Sequence, residues 1–140
     1  IYFSNNKNEF YSIDLKNGII NWKNEISSNI TPVITGNLIF TVSEDGYLLA
    51  IEKNKGNIIR VTDLLKNYKL KKRKDIKPVG FAIDDTTLYL TNSDGKMILA
   101  DLSIGNIKTI EKVSGDFISR PFIFNQNLFV IRNGSIVQYN

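Results

Sequence analysis

The chain has 140 residues, 42% hydrophobic and 23% charged, with a formal net charge of +4. That balance belongs to a globular chain of about one domain and excludes disorder. There is no cysteine and no histidine, which removes disulfides, thiolate metal sites, iron–sulfur clusters, cysteine nucleophiles and Ser-His-Asp machinery. No apolar run approaches the roughly 20 residues of a membrane-spanning helix. Ile1-Tyr2-Phe3-Ser4 lacks an initiator methionine and reads as the middle of a strand. A piece of a longer protein is therefore expected, with any targeting segment outside it.

Along the chain the apolar residues fall into short β-branched and aromatic runs. The predicted strands are Tyr2 to Ser4, Glu9 to Asp14 and Ile19 to Lys23, then Val33 to Thr35, Leu38 to Val42, Tyr47 to Glu52 and Ile58 to Thr62. They continue with Val79 to Ile83, Thr87 to Thr91, Lys96 to Asp101 and Ile107 to Ile110, and end with Phe122 to Phe124, Leu128 to Ile131 and Ser135 to Tyr139. These are strand lengths bounded by Gly, Asn, Asp and Ser, not helix lengths. Asn17-Gly18, Asp45-Gly46, Asp94-Gly95 and Asn133-Gly134 suit tight type I′ hairpins. An all-β meander is expected, with no helical segment between strands. Leu38 to Val42 is apolar at nearly every position, as befits a sheet covered on both faces, whereas Ile107 to Lys112 regains polar residues.

The strands repeat. Gly46, Gly95 and Gly134 each precede a strand, and Glu52, Asp101 and Asn140 lie six residues after them. Gly56 and Gly105 follow Glu52 and Asp101 by four residues, the step that also links Asp14 to Gly18. Pro32, Pro78 and Pro121 mark a second register. Gly46 to Gly95 spans 49 residues and Gly95 to Gly134 spans 39, so about ten residues are inserted between them. Units of roughly 40 to 50 residues with four strands each signify β-propeller blades. The expected fold is an all-β, incomplete propeller ring in a single 1–140 fragment. Its four-stranded antiparallel blades are two complete (31–64 and 77–113) and two partial (1–26 and 118–140), with a basic insertion at 65–76.

The insertion carries the net charge. Lys66 to Lys77 holds seven basic residues and one acid, while the rest of the chain holds 11 basic and 13 acidic residues. Such a segment suits either a solvated loop or a patch for phosphate, anionic lipid or an acidic protein face. Only Tyr68 is available to stack on bases, so no nucleic-acid partner is expected. Lys69, Lys71, Lys72, Arg73 and Lys74 are the candidate partner-binding residues.

Ser12-Ile13-Asp14-Leu15-Lys16-Asn17-Gly18-Ile19-Ile20-Asn21-Trp22 resembles the repeat of the pyrroloquinoline-quinone (PQQ)-type propellers. Ala50 to Gly56 and Leu99 to Gly105 are further copies, with Arg60 and Thr109 at the tryptophan position. The acidic residue caps the turn, the glycine takes a conformation others resist, and Trp22 is placed to cap blade packing. Asp14, Gly18, Trp22, Gly46, Glu52, Gly56, Gly95, Asp101, Gly105 and Gly134 are thus structural motif residues. The ending from Arg120 to Asn140, which stops at the acidic position of the motif, is most similar to the C-terminal part of the BamB family of outer-membrane assembly lipoproteins. That resemblance implies a non-enzymatic scaffold at the periplasmic face of the bacterial outer membrane. It would bind the barrel-inserting subunit and need no cofactor, and its lipid anchor would lie outside this chain. The same repeat occurs in quinoprotein dehydrogenases, which need a quinone, calcium and a catalytic aspartate. A generic propeller module of the WD type is a third reading, although the Gly-His and Trp-Asp dipeptides are missing.

Trp22 reads as blade packing in preference to a stacking platform. Glu44-Asp45 and Asp84-Asp85 read as solvated turn residues in preference to a cation site. Tyr2, Phe3, Phe10 and Tyr11 are expected in the core or between blades. Arg60, Arg120 and Arg132 either line a partner groove or are solvated and ion-paired. Open sheet edges are expected to drive self-association.

Overall fold

The computed structural model describes residues 1–5, 7–115 and 117–139. It divides into two compact units, Ile1–Asp63 and Leu64–Asn140. Asn140, expected at the acidic position of the motif, lies outside the described residues.

The first unit holds β1 (Tyr2–Ser4), β2 (Glu9–Ile13) and β3 (Ile20–Glu25) in one sheet, then β4 (Val33–Thr35), β5 (Leu38–Val42), β6 (Tyr47–Glu52) and β7 (Ile58–Asp63) in a second. The second unit opens with a single helical turn, α1 (Leu70–Arg73). A four-stranded sheet follows, of β8 (Pro78–Asp84), β9 (Thr87–Asn92), β10 (Lys96–Asp101) and β11 (Ile107–Lys112), then a three-stranded one of β12 (Phe122–Phe124), β13 (Asn127–Arg132) and β14 (Ser135–Tyr139). Every pairing joins consecutive strands and is antiparallel. Two four-stranded and two three-stranded meanders are the two complete and two partial blades expected. The expectation of no helix fails only at α1.

Burial follows position in the sheet. In β5 every residue after Leu38 is buried, and β6 is buried from Leu48 to Ile51. The last strands β3, β7 and β11 bury no residue fully. In the first unit Phe10, Ile26, Ile39, Leu49 and Ile51 form a core against which Tyr2 and Trp22 pack. Met97, Val113, Ile118, Leu128 and Val130 do the same in the second. Of the four aromatics expected inside, Phe10 is fully buried, but Phe3 is 39% exposed and stacks on Tyr11 at 5.4 Å.

The hairpins correct one expectation. Only Asn133-Gly134 has positive φ at both residues of its Asn/Asp-Gly pair, as a type I′ turn requires. At Ser43–Gly46 and Asn92–Gly95 the glycine N–H donates to the carbonyl three residues back, at 2.9 and 3.0 Å, and the glycine alone has positive φ. These are tight turns that end in a left-handed glycine, which adds one residue to the loop. A turn with positive φ at both central residues also forms without glycine, at Asn125-Gln126.

Candidate functional site: repeat turns and the basic insertion

The repeated acidic residue and glycine build the same turn three times. The Gly18, Gly56 and Gly105 N–H groups donate to the carbonyls of Asp14, Glu52 and Asp101 at 2.9, 2.8 and 2.8 Å. In return the acidic residues' own N–H groups donate to Ile19, Asn57 and Asn106. The glycines have φ of +71°, +75° and +71°, a region that L side chains resist. Strand pairing slips just before each acidic residue, at Ser12/Ile13, Ala50/Ile51 and Leu99/Ala100.

Side-chain capping depends on chain length. The Asp14 carboxylate accepts from the Lys16 N–H at 2.7 Å, and that of Asp101 accepts from Ser103 and Ile104. Those two backbone donors, assisted by Lys108, hold the Asp101 carboxyl below the usual range. Glu52, one methylene longer, instead accepts from the Asn57 side chain at 2.9 Å.

Trp22 packs on the repeat turn of the second sheet. Its indole lies flat over Gly56, so close that a Cβ there would meet the ring at 2.5 Å. Its Nε1–H donates to the Lys53 carbonyl at 3.0 Å, and Phe10 stacks behind it at 6.0 Å. Asn24, two residues on, donates to the Gly56 carbonyl at 2.7 Å. One strand of the first sheet thus clamps the repeat turn of the second. Asn24 carried no signal in the sequence.

The insertion is anchored, not free. Leu64, Leu65 and Ile76 are buried, and Tyr68 packs its ring under the Lys96 ammonium at 4.9 Å. The end of the segment is tied to a hairpin: the Ser93 N–H donates to Lys77 O at 2.8 Å and the Lys77 N–H to Ser93 Oγ at 2.9 Å. Burial, then the nearby Asp94 carboxylate, pushes the Tyr68 phenol up to about 12. Among the described residues its hydroxyl and both polar atoms of the neighbouring, fully buried Asn92 have no hydrogen-bond partner. α1 buries no residue. Lys69, Lys71, Lys72 and Lys74 are exposed and Arg73 is partly covered, so the anchors hold a cationic surface in place.

The other singled-out residues scatter. The Glu44 carboxylate accepts from Asn29, and Asp85 occupies a hairpin turn at φ +47°. Among the described residues no group of three or more acids is placed to hold a metal. Arg120 packs against Gly80, and Arg132 Nη1 donates to Val113 O at 2.7 Å beside an open groove. Lys96 and Lys112 line the same region, and sequence reasoning missed both. Among the described residues no helix is long and apolar enough to cross a membrane.

The family model described as outer membrane protein assembly factor BamB matches residues 1–62. No curated protein sequence matches the chain. Among solved structures, BamB from Moraxella catarrhalis is similar over 99% of this chain and 42% of its own length, with a TM-score of 0.71 and 14% identity. Saccharomyces cerevisiae Sqt1 is similar over 96% of this chain and 39% of its own, at 0.75 and 15%. A quinohemoprotein alcohol dehydrogenase from Pseudomonas putida HK5 matches 75% of this chain and 17% of its own, at 0.57 and 16%. The chain thus spans less than half the length of each of these proteins. Their identities carry the fold alone, while the repeat motif and the family match carry its type. The chain folds as a stretch of β-propeller, and its first 62 residues are similar to the BamB family.

Proposed function

We propose that this chain is part of a non-enzymatic scaffold of the outer-membrane β-barrel assembly machinery, working at the periplasmic face of that membrane. The match of residues 1–62 to the BamB family model carries this reading. The repeat residues support it, because they are used up in packing: glycines, acids and Trp22 hold turns and the sheet contact within the first unit. Binding then falls to loops and edges, which vary without disturbing a propeller core. The anchored basic insertion is the contact element, with Lys69, Lys71, Lys72, Arg73 and Lys74 facing an acidic surface on the barrel-inserting subunit. Attachment to the membrane would come from a lipid anchor outside this chain.

The test is co-purification of the chain with that subunit, followed by charge reversal of the five basic residues. Retention on the subunit at moderate salt, lost on reversal, is the expected result. A chain that ignores the subunit, or that binds a quinone with a visible absorption change, overturns the reading. The second outcome points to a dehydrogenase fragment.

A further inference from the structure

We infer that the second unit carries a groove for an acidic peptide segment, read by Lys72, Lys96, Lys112 and Arg132. This rests on the scaffold reading and names the chemistry of the partner. Lys96 and Lys112 are direct cross-strand partners at the end of the β10–β11 pair. Like charges placed opposite each other on a sheet destabilise it. Asp94 relieves Lys96 at 3.4 Å. Among the described residues Lys112 has no ion-pair partner.

Backbone hydrogen bonds fix the chain that carries these cations. The Val113 and Ser114 N–H groups both donate to Gly95 O, at 2.9 and 3.0 Å, and pin the chain beyond Lys112 onto the β9–β10 turn. Arg132 reaches the same loop from the β13–β14 turn through its bond to Val113 O, and spends one of its five donors there. Lys72 comes from the anchored insertion. Two adjoining hollows of about 450 and 320 Å³ meet at Lys112, Ser114 and Gly115. Lys72 and Lys96 line the first and Arg132 the second.

The shape selects the ligand. The cations are divided between two adjoining hollows that share Lys112, so they suit successive carboxylates better than a single phosphate. Asp75 and Asp94 also line the first hollow and disfavour a dense polyanion such as a phosphodiester backbone. In an extended acidic segment alternate side chains face the same way, so every second carboxylate can meet the cations.

The test is fluorescence anisotropy of labelled hexaglutamate and hexaglutamine with the 140-residue chain at about 0.15 M ionic strength, where the Debye length is about 8 Å. Hexaglutamate is expected to bind and hexaglutamine not. Lys112→Glu and Lys96→Glu should each weaken hexaglutamate by about tenfold or more, since reversal replaces attraction with repulsion. Lys108→Glu, four residues from Lys112 on the same strand, should change it by less than about threefold, because exposed charges farther apart than a Debye length are screened. Lys112→Gln, with an unchanged far-UV spectrum, guards against misfolding. Equal binding by wild type and Lys112→Glu overturns the groove, and so does displacement of the peptide by inorganic phosphate at matched ionic strength. If the barrel-inserting subunit fails to bind while hexaglutamate binding still depends on Lys112, the assembly reading fails and the groove stands. If the subunit binds and Lys112 is indifferent, the groove alone fails.

Discussion

Gly18 and Gly56 occupy the same turn with the same left-handed backbone, yet only one of them has a neighbour. A Cβ on Gly18 meets nothing within 4 Å, whereas on Gly56 it strikes the Trp22 ring. Gly18→Ala therefore reports backbone strain alone, about 1 kcal/mol. Gly56→Ala should cost a further ~1–3 kcal/mol, because the indole must give way and loosen the Phe10 core. Trp22→Ala itself should cost about 3 kcal/mol through the lost aromatic packing. The three effects are coupled: in a Trp22→Ala background the Gly56→Ala penalty should fall back to the Gly18 value. Guanidinium unfolding of the four variants reads this directly. A penalty at Gly56 that survives loss of the tryptophan would show that the close approach is incidental.

Among the elements, the insertion behaves unlike any strand, and proton linkage can show how it is held. Tyr68 has its phenol pKa raised from 10 to about 12, by burial first and Asp94 second. Between pH 10 and 12 the folded chain keeps a proton that the unfolded chain has released. The stabilisation is complete below pH 10 and is lost as pH rises through 12. Tyr68→Phe should change neutral-pH stability by less than about 1 kcal/mol, since its hydroxyl has no partner to lose. It should also flatten the fall in melting temperature above pH 10. An unchanged alkaline slope would mean that the phenol titrates as if in water. The strands themselves were legible because a two-residue alternation and turn residues at fixed steps are local signals. Asp14, Glu52 and Asp101 recur at fixed offsets because one hydrogen-bonded turn requires them. α1 was not legible: a single turn bearing Lys71, Lys72 and Arg73 has no apolar face to betray it, and Leu64, Leu65 and Ile76 secure it from outside its length. Lys96 and Lys112 were hidden for a different reason. They are 16 residues apart in sequence and meet only through strand register.

At the scale of the whole molecule, the sheet edges are guarded unequally. Strands β3, β7 and β11 carry Lys23 and Glu25, Arg60 and Asp63, and Lys108, Glu111 and Lys112. Strands β4, β8 and β12 begin at or just after Pro32, Pro78 and Pro121, and β1 has only three residues. Charge, proline and brevity are the usual defences against edge-to-edge pairing. Strand β14, Ser135 to Tyr139, has none of them: among the described residues it pairs with β13 alone, runs for five residues, bears no charge and shows Ile136 at 67% exposure. An edge of that kind is a template for a further strand, and a second copy of this chain can supply one through its own β14. Light scattering should therefore show concentration-dependent dimers. Ile136→Lys should abolish them without loss of stability, because the side chain is already in water and the added charge cannot be paired across the new interface. Dimers that survive this change would move the contact to another edge, and a monomer at every concentration would mean that β14 is protected in a way its sequence does not reveal.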